Sequence, residues 1–343
     1  MSSVARFFRR RWPILLPLGV LLAAWLAYAV ISPAITGALQ GGRTGLHGDM
    51  VWFELRQAFL QRSLAAFVWL WFFMLGGAIG SYLNVVVWRV PRGMSVAGGG
   101  SKCPFCRTPI RKTDNIPVLG WLRLNGRCRA CRLPIAARYP IVELVMGLTF
   151  LSVAIAGPLD LAHPLESGIQ SLILDGQWRP AASYAWQVTL LTLLLGAGLI
   201  LYDGFPIPWS FAIFAFLVGT CAPLAYGELY PVEWGSGPGF PAWSRTPLTM
   251  AVGLAAGILL GAGVHLLTNF SSGPAGQRAG GVMLAFAIAG LYLGWQAVLT
   301  TAATTLLLTL AGRLVLGQTT VVLALFAAAW VQTICGKWMS LWW

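Results

Sequence analysis

Long apolar runs broken at wide intervals by short polar segments set the pattern of this chain. Residues 13–36 (PILLPLGVLLAAWLAYAVISPAIT) form the first run, with Arg9, Arg10 and Arg11 just before it. A basic segment ahead of an apolar core also describes a cleaved signal peptide. The run is longer than a usual signal core, which favours a retained anchor. Residues 37–63 are mixed and polar and read as a loop on the outside. Residues 64–88 form a second run whose strongly polar members are Ser81 and Asn84. Residues 89–139 break the pattern, being basic, Pro-containing and rich in Cys. Apolar runs resume at 140–157, 184–202, 206–226, 247–268, 281–299, 300–317 and 318–336. Loops at 158–183, 227–246 and 269–280 separate them. Each run is near the ~20 residues that a helix needs to cross a bilayer. The pattern predicts about eight or nine transmembrane helices. The boundaries inside 281–336 are the softest, because that stretch is nearly continuous apolar sequence.

Composition narrows the class. Of 343 residues, 57% are hydrophobic and 10% charged, against about 25% charged in an average soluble domain. Mean hydropathy is +0.73. This excludes a soluble globular enzyme and a disordered chain, and six Cys in this length exclude a disulfide scaffold. The net charge is +13, which could suggest nucleic acid, but the cations are not spread. Residues 89–139 hold eleven of the 23 basic residues and one acid, Asp114, and residues 1–12 hold four more. Cations packed beside apolar runs mark cytoplasmic loops under the positive-inside rule, and such a surface also suits anionic lipid. No nucleic-acid partner is expected. Counted from a cytoplasmic N-terminus, residues 89–139 form a small cytoplasmic domain. Asp203 and Gly281 then fall at the same cytoplasmic side.

The cysteines form two pairs, Cys103-Pro-Phe-Cys106 and Cys128-Arg-Ala-Cys131, with 21 residues between them. Two CxxC pairs at this separation suit a tetrahedral four-cysteine zinc site. A small repeat reinforces this: Cys103-x-x-Cys106-x-x-Pro109-Ile110 matches Cys128-x-x-Cys131-x-x-Pro134-Ile135. Arg107, Arg127, Arg129 and Arg132 favour the thiolate forms. Four thiolates leave no open position, so the zinc is read as a structural staple of a domain too small to be secure on its core alone. Disulfides are the alternative, and a cytoplasmic location disfavours them. Cys221 and Cys335 lie in apolar runs and read as small hydrophobes.

With these residues in view the chain resembles the prepilin leader peptidases, the type IV prepilin-like leader-peptide-processing enzymes. The resemblance rests on GSYLNVVVWRVPRG at 80–93, SKCPFC at 101–106, DNIPVLGW at 114–121, GRCRAC at 126–131 and ARYPIVEL at 137–144. It is strong over about 75–150 and weaker in pattern over 184–336. It implies a bifunctional enzyme of the bacterial inner membrane, serving type IV pili or type II secretion. Such an enzyme cleaves the leaders of prepilins and pseudopilins after a Gly and N-methylates the new N-terminus using S-adenosylmethionine. Its partners would be those precursor peptides, membrane lipids and assembly proteins of pilus or secretion machinery. The peptidase half is an aspartic endopeptidase of GxGD type, in which two carboxyls near the cytoplasmic face act as base and acid. The resulting division is an added N-terminal anchor and outside loop (1–63), a transmembrane helix with the GSYLN motif (64–88), a cytoplasmic zinc-binding domain (89–139) and a transmembrane peptidase-like domain (140–343).

By resemblance the first catalytic acid is Asp203, in LYDGFPIP at 201–208, although Trp209 stands where a further acid is expected. The GxGDxK position falls on Ala279-Gly280-Gly281-Val282-Met283-Leu284. The second catalytic Asp is therefore replaced by Val282 and the Lys by Leu284, and residues 234–343 contain no Asp or Glu. Of the ten acids, only Asp114, Glu143 and Asp203 lie in segments read as facing the cytoplasm. A degenerate homologue that binds pilin-like substrates or assembly partners without cleaving them is the alternative function. Asn84 reads either as a helix-packing amide or as part of a peptide or methyl-transfer site. Glu143 reads as a partner of Arg138, a cap of its own helix, or a group that holds a substrate N-terminus.

Overall fold

The structure is a computed structural model and describes residues 20, 23–31, 48–97, 101–161, 176–226, 229–230, 242–268, 279–316 and 321–339. The expected anchor at 13–36 lies mostly outside these residues, as do most of the loops at 158–183, 227–246 and 269–280. The fold is all-α. Its helices are α1 (Gly48–Arg89), the short α2 (Leu119–Arg123), α3 (Arg138–Ala156), α4 (Arg179–Tyr202), α5 (Trp209–Ala225), α6 (Ala242–Thr268), α7 (Ala279–Leu316) and α8 (Val321–Met339). Five helical segments are long and apolar enough to cross a membrane, and α5 and 321–335 are shorter apolar helices. A multi-pass membrane protein follows from this architecture.

Two boundaries differ from the sequence reading. Residues 48–63, expected in an outside loop, continue α1 as helix. Their Glu, Leu, Gln, Arg and Ala are good helix formers, and polarity alone does not end a helix. The divide expected between 299 and 300 falls instead at Gly294, whose φ of 78° and ψ of 174° interrupt α7. Only glycine holds such a conformation without strain.

The chain divides into two compact units: Met1–Ser81 with Gly99–Leu151 and Leu161–Gln170, and Tyr82–Gly98 with Ser152–Asp160 and Ser171–Trp343. In the first unit α1 and α3 pack closely because glycines of each helix leave room for the other. A Cβ on Gly80 would lie 2.9 Å from Met146 Cβ, and one on Gly147 would lie 2.7 Å from the Phe73 ring. Small residues at such crossings are the usual means of close helix packing in a bilayer. The cysteine module is inserted between these two helices.

In the second unit α4 is the hub. Its window of membrane-spanning length is 78% buried, and it packs against α7 and α8. Gly253, Gly257 and Gly261 of α6 face Gly290, Phe286 and Met283 of α7 with no room for a Cβ. That order makes residues 279–293 antiparallel to α6. Arg313, on the second leg of α7, donates to the carbonyl of Thr268 at the far end of α6. The chain therefore reverses at Gly294, so α7 is a helical hairpin. The break frees carbonyls that a continuous helix would use, and aromatic side chains take them. Tyr230 donates to Leu291 O at 2.7 Å and Trp186 Nε1 to Tyr292 O at 3.0 Å. Trp186 also stacks on the Tyr292 ring at 4.2 Å.

Candidate functional site

The two cysteine loops have the same backbone. Cys103 N donates to Thr108 O and Arg107 N to Cys103 O; Cys128 N donates to Leu133 O and Arg132 N to Cys128 O. Isolated bridges join Lys102 to Pro109 and Arg127 to Pro134. Arg107 (φ 57°) and Arg132 (φ 63°) take the left-handed conformation at equivalent positions. Each loop thus turns its two sulfurs the same way, and the loops face each other. Cys103 Sγ lies 3.8 Å from Cys131 Sγ, and Cys106 Sγ 4.0 Å from Cys128 Sγ. All four sulfurs lie within 4.8 Å of one another. A tetrahedron with Zn–S near 2.3 Å requires S···S of about 3.8 Å, so the donor set fits one ion. All four cysteines are free thiols.

Their electrostatics differ. The Thr108 hydroxyl, 3.3 Å from Cys106 Sγ, and the Thr108 N–H hold the Cys106 thiol down at about 6. Backbone N–H groups of Cys131 and Ala130 lower Cys128. For Cys131 the Leu133 N–H pulls downward, but burial and the neighbouring sulfurs outweigh it and push the thiol up to about 11. Sulfurs this close cannot all carry charge without a cation between them, a charge that a divalent ion could supply.

An ion pair braces the second loop. Arg129 donates from Nε to Asp114 Oδ2 at 2.6 Å and from Nη2 to Asp114 Oδ1 at 2.5 Å. The hydrogen bonds from Arg129 hold the Asp114 carboxyl below the usual range. Asp114 is thus committed to the module. Beyond it, Pro117-Val118-Leu119 makes a three-residue turn, with Leu119 N donating to Pro117 O at 2.6 Å. Val118 sits at φ 61°, ψ −52°. Its N–H donates to Glu143 Oε2 at 2.7 Å, and the Ser81 hydroxyl donates to the same carboxylate. Glu143 therefore reaches 25 residues back along the chain, a role different from the Arg138 partner or helix cap read from sequence.

Asp203 lies at the carboxyl end of α4. Phe205 N donates to Ile200 O at 3.1 Å and Gly204 N to Leu201 O at 3.0 Å, with Gly204 at φ 81°. This is a Schellman cap, in which glycine supplies the left-handed residue. Asp203 is half-buried and Trp209 exposed. Phe205 is gripped by Arg92, whose guanidinium lies 4.4 Å from the Phe205 ring and 3.6 Å from the Trp88 ring. Arg92 also donates to Trp88 O at 2.7 Å. Sequence reading missed this sandwich, since cation–π partners carry no spacing signature.

The amino end of α7 is at the same place. A Cβ on Gly281 would lie 2.7 Å from Leu201 Cδ2, two residues before Asp203. Val282, which the sequence resemblance aligns with the second family acid, is 0% exposed. Asn84 is buried in the span carrying GSYLN.

Residues 74–156 match the family described as Bacterial Peptidase A24 N-terminal domain. The prepilin leader peptidase/N-methyltransferase of Myxococcus xanthus is 49% identical over 80 residues, 23% of this chain and 24% of that protein. The type 4 prepilin-like proteins leader peptide-processing enzyme of Escherichia coli is 34% identical over 189 residues, 47% of this chain and 65% of that protein. The chain thus spans less than two thirds of both. The prepilin leader peptidase/N-methyltransferase of Klebsiella pneumoniae is 33% identical over 252 residues, covering 70% of this chain and 93% of that protein. No solved structure matches the chain. With nearly the whole of the Klebsiella protein matched in one alignment, the chain belongs to the family of prepilin leader peptidases/N-methyltransferases.

Proposed function

We propose that the chain processes type IV prepilin-like precursors at a bacterial inner membrane, cleaving their leader peptides and N-methylating the new N-terminus. The observation that carries this reading is the family match over 93% of the Klebsiella relative. The division into anchor (1–63), GSYLN helix (64–88), zinc domain (89–139) and peptidase-like domain (140–343) belongs to the same proposal. So does a cytoplasmic zinc domain, which the eleven cations of 89–139 support. Cys103, Cys106, Cys128 and Cys131 would hold zinc. Bound there, it staples the two loops, since four thiolates leave it no position for substrate. S-adenosylmethionine as methyl donor rests on the relatives' names alone.

Asp203 is the carboxylate of the peptidase half. It stands where a span ends, and an ionisable group in that position is expensive and is usually kept for use. As a base it takes a proton from water attacking the scissile carbonyl. The leaving amine needs an acid, and the family position for it is Val282. That residue is the ground for a second reading, in which the chain binds such precursors without cleaving them; the family match speaks for the first. Membranes carrying the full chain, given a pilin-like precursor, separate the two. Cleavage by wild type that Asp203→Asn abolishes supports the first. An intact precursor with folded wild type supports the second.

A further inference from the structure

We propose that Glu143 is a latch that holds residues 117–119 in a strained turn and so docks the cysteine module on α1 and α3. The inference stands independently of cleavage and methylation.

The turn at Val118 is the unusual feature. Five described non-glycine residues have positive φ: Arg107, Val118, Asn125, Arg132 and Asp160. Val118 alone among them is β-branched, the residue type that tolerates positive φ least. With ψ at −52° it also misses the ordinary left-handed well. The Leu119 N to Pro117 O bond identifies a γ-turn of the rare, strained hand. A residue stays in such a conformation only where its surroundings over-determine it.

Those surroundings can be named. Glu143 Oε2 accepts the Val118 N–H at 2.7 Å. Pro117 sits on α1 at Gly77, where a Cβ would lie 3.0 Å from Pro117 Cβ. Gly120 N donates to Ile116 O at 2.7 Å, and Gly120 presses on the Asp114 carbonyl with no room for a Cβ. Glu143 is itself fixed. Ser81 donates to it, and a Cβ on Gly80 would lie 3.0 Å from Glu143 Cα. A contiguous line of contacts therefore runs from the loop of Cys128 and Cys131 through Arg129, Asp114 and Gly120 to Val118, Glu143 and α1. Glu143 is the link in this line that belongs to a span and grips the backbone of the module. Without it, Val118 relaxes to an extended conformation and Pro117 is drawn off Gly77. Glu143 is thus a positioning residue.

The test uses the full-length, zinc-loaded protein and hydrogen exchange over 115–124, where the Leu119 and Gly120 amides report the turn. Glu143→Leu should speed their exchange at least tenfold, with Glu143→Gln in between. Val118→Gly alone should exchange no faster than wild type, because glycine occupies the turn without strain. The decisive variant is the Val118→Gly/Glu143→Leu double, expected within threefold of wild type. A pure packing or folding role for Glu143 would not be rescued by removing a side chain elsewhere. If Glu143→Leu loses zinc outright, the double variant must regain it. Unchanged exchange in Glu143→Leu, or a double variant as fast or as zinc-poor as Glu143→Leu, overturns the latch.

Discussion

Either end of the Asp114–Arg129 pair can be removed, and the two losses are unequal because of what each leaves behind. The Asp114 side chain is 3% exposed and that of Arg129 is 40%. Arg129→Gln strands a carboxylate where water does not reach. Losing one partner of a fully buried pair costs about 3–5 kcal/mol, and this pair is buried only at its acidic end. The lower figure applies here, because Arg111 and Arg123 still favour the carboxylate. Asp114→Asn leaves a guanidinium that water can solvate, so the loss is that of a charge-assisted hydrogen bond, about 1.5 kcal/mol. At about 1.4 kcal/mol per tenfold, the open module becomes roughly 100-fold more populated in Arg129→Gln and roughly tenfold in Asp114→Asn. Zinc transfer from purified protein to a chromogenic chelator at neutral pH measures this population when reclosing is fast. The pH dependence has a definite sign. The Asp114 carboxyl is depressed below its ordinary 3.8, so its contribution is complete above that value and is lost only as pH falls through the depressed one. In Arg129→Gln the penalty eases on acidification, because the stranded carboxyl can take up a proton. Asp114→Asn releasing zinc as fast as Arg129→Gln would refute the argument from burial. So would both variants staying within twofold of wild type.

Three further outcomes follow from the site. Val282→Asp puts a carboxyl beside the Asp203 corner, where the proposed mechanism lacks its acid, and should raise leader cleavage at least tenfold; unchanged cleavage in folded, zinc-loaded protein counts against that placement. After chelation, Cys106 should be alkylated first, with its rate rising as pH passes about 6, and Cys131 last, since its thiol is pushed up to about 11. Thr108→Val should slow Cys106 at neutral pH by removing the hydroxyl that favours its thiolate; mass spectrometry of the labelled peptides reads both. Arg107→Gly or Arg132→Gly relieves a left-handed residue worth about 1 kcal/mol and should slow zinc transfer to the chelator roughly fivefold. Faster transfer would mean that the arginine side chains hold the loops.

The cysteine module was legible in sequence because its chemistry is local. Each loop closes within eight residues, and the repeat Cys-x-x-Cys-x-x-Pro-Ile shows it twice. The long apolar helices among the described residues were legible because bilayer thickness dictates run length. The start of α1 was not, since residues 48–63 mix polar and apolar helix formers and composition does not separate such a helix from a loop. Gly294 was hidden inside apolar sequence, where no polar residue announces a turn. Glu143 was singled out, but its partner is a backbone N–H 25 residues away, and no periodicity encodes that. Val118 left no trace at all, because valine is the last residue a sequence reading would place at positive φ.

The reversal at Gly294 bears on how the chain enters a bilayer. The first leg of α7, residues 279–293, rises about 22 Å at 1.5 Å per residue, short of the ~30 Å hydrocarbon core. Alone it is a poor candidate for insertion. Joined to its second leg across one glycine, it would enter as a folded pair, with no polar loop between the legs to cross the lipid. The freed carbonyls at the bend meet Tyr230 and Trp186 rather than acyl chains. A side chain at position 294 would therefore act first on biogenesis, by opening the bend before α6 can pack against both legs.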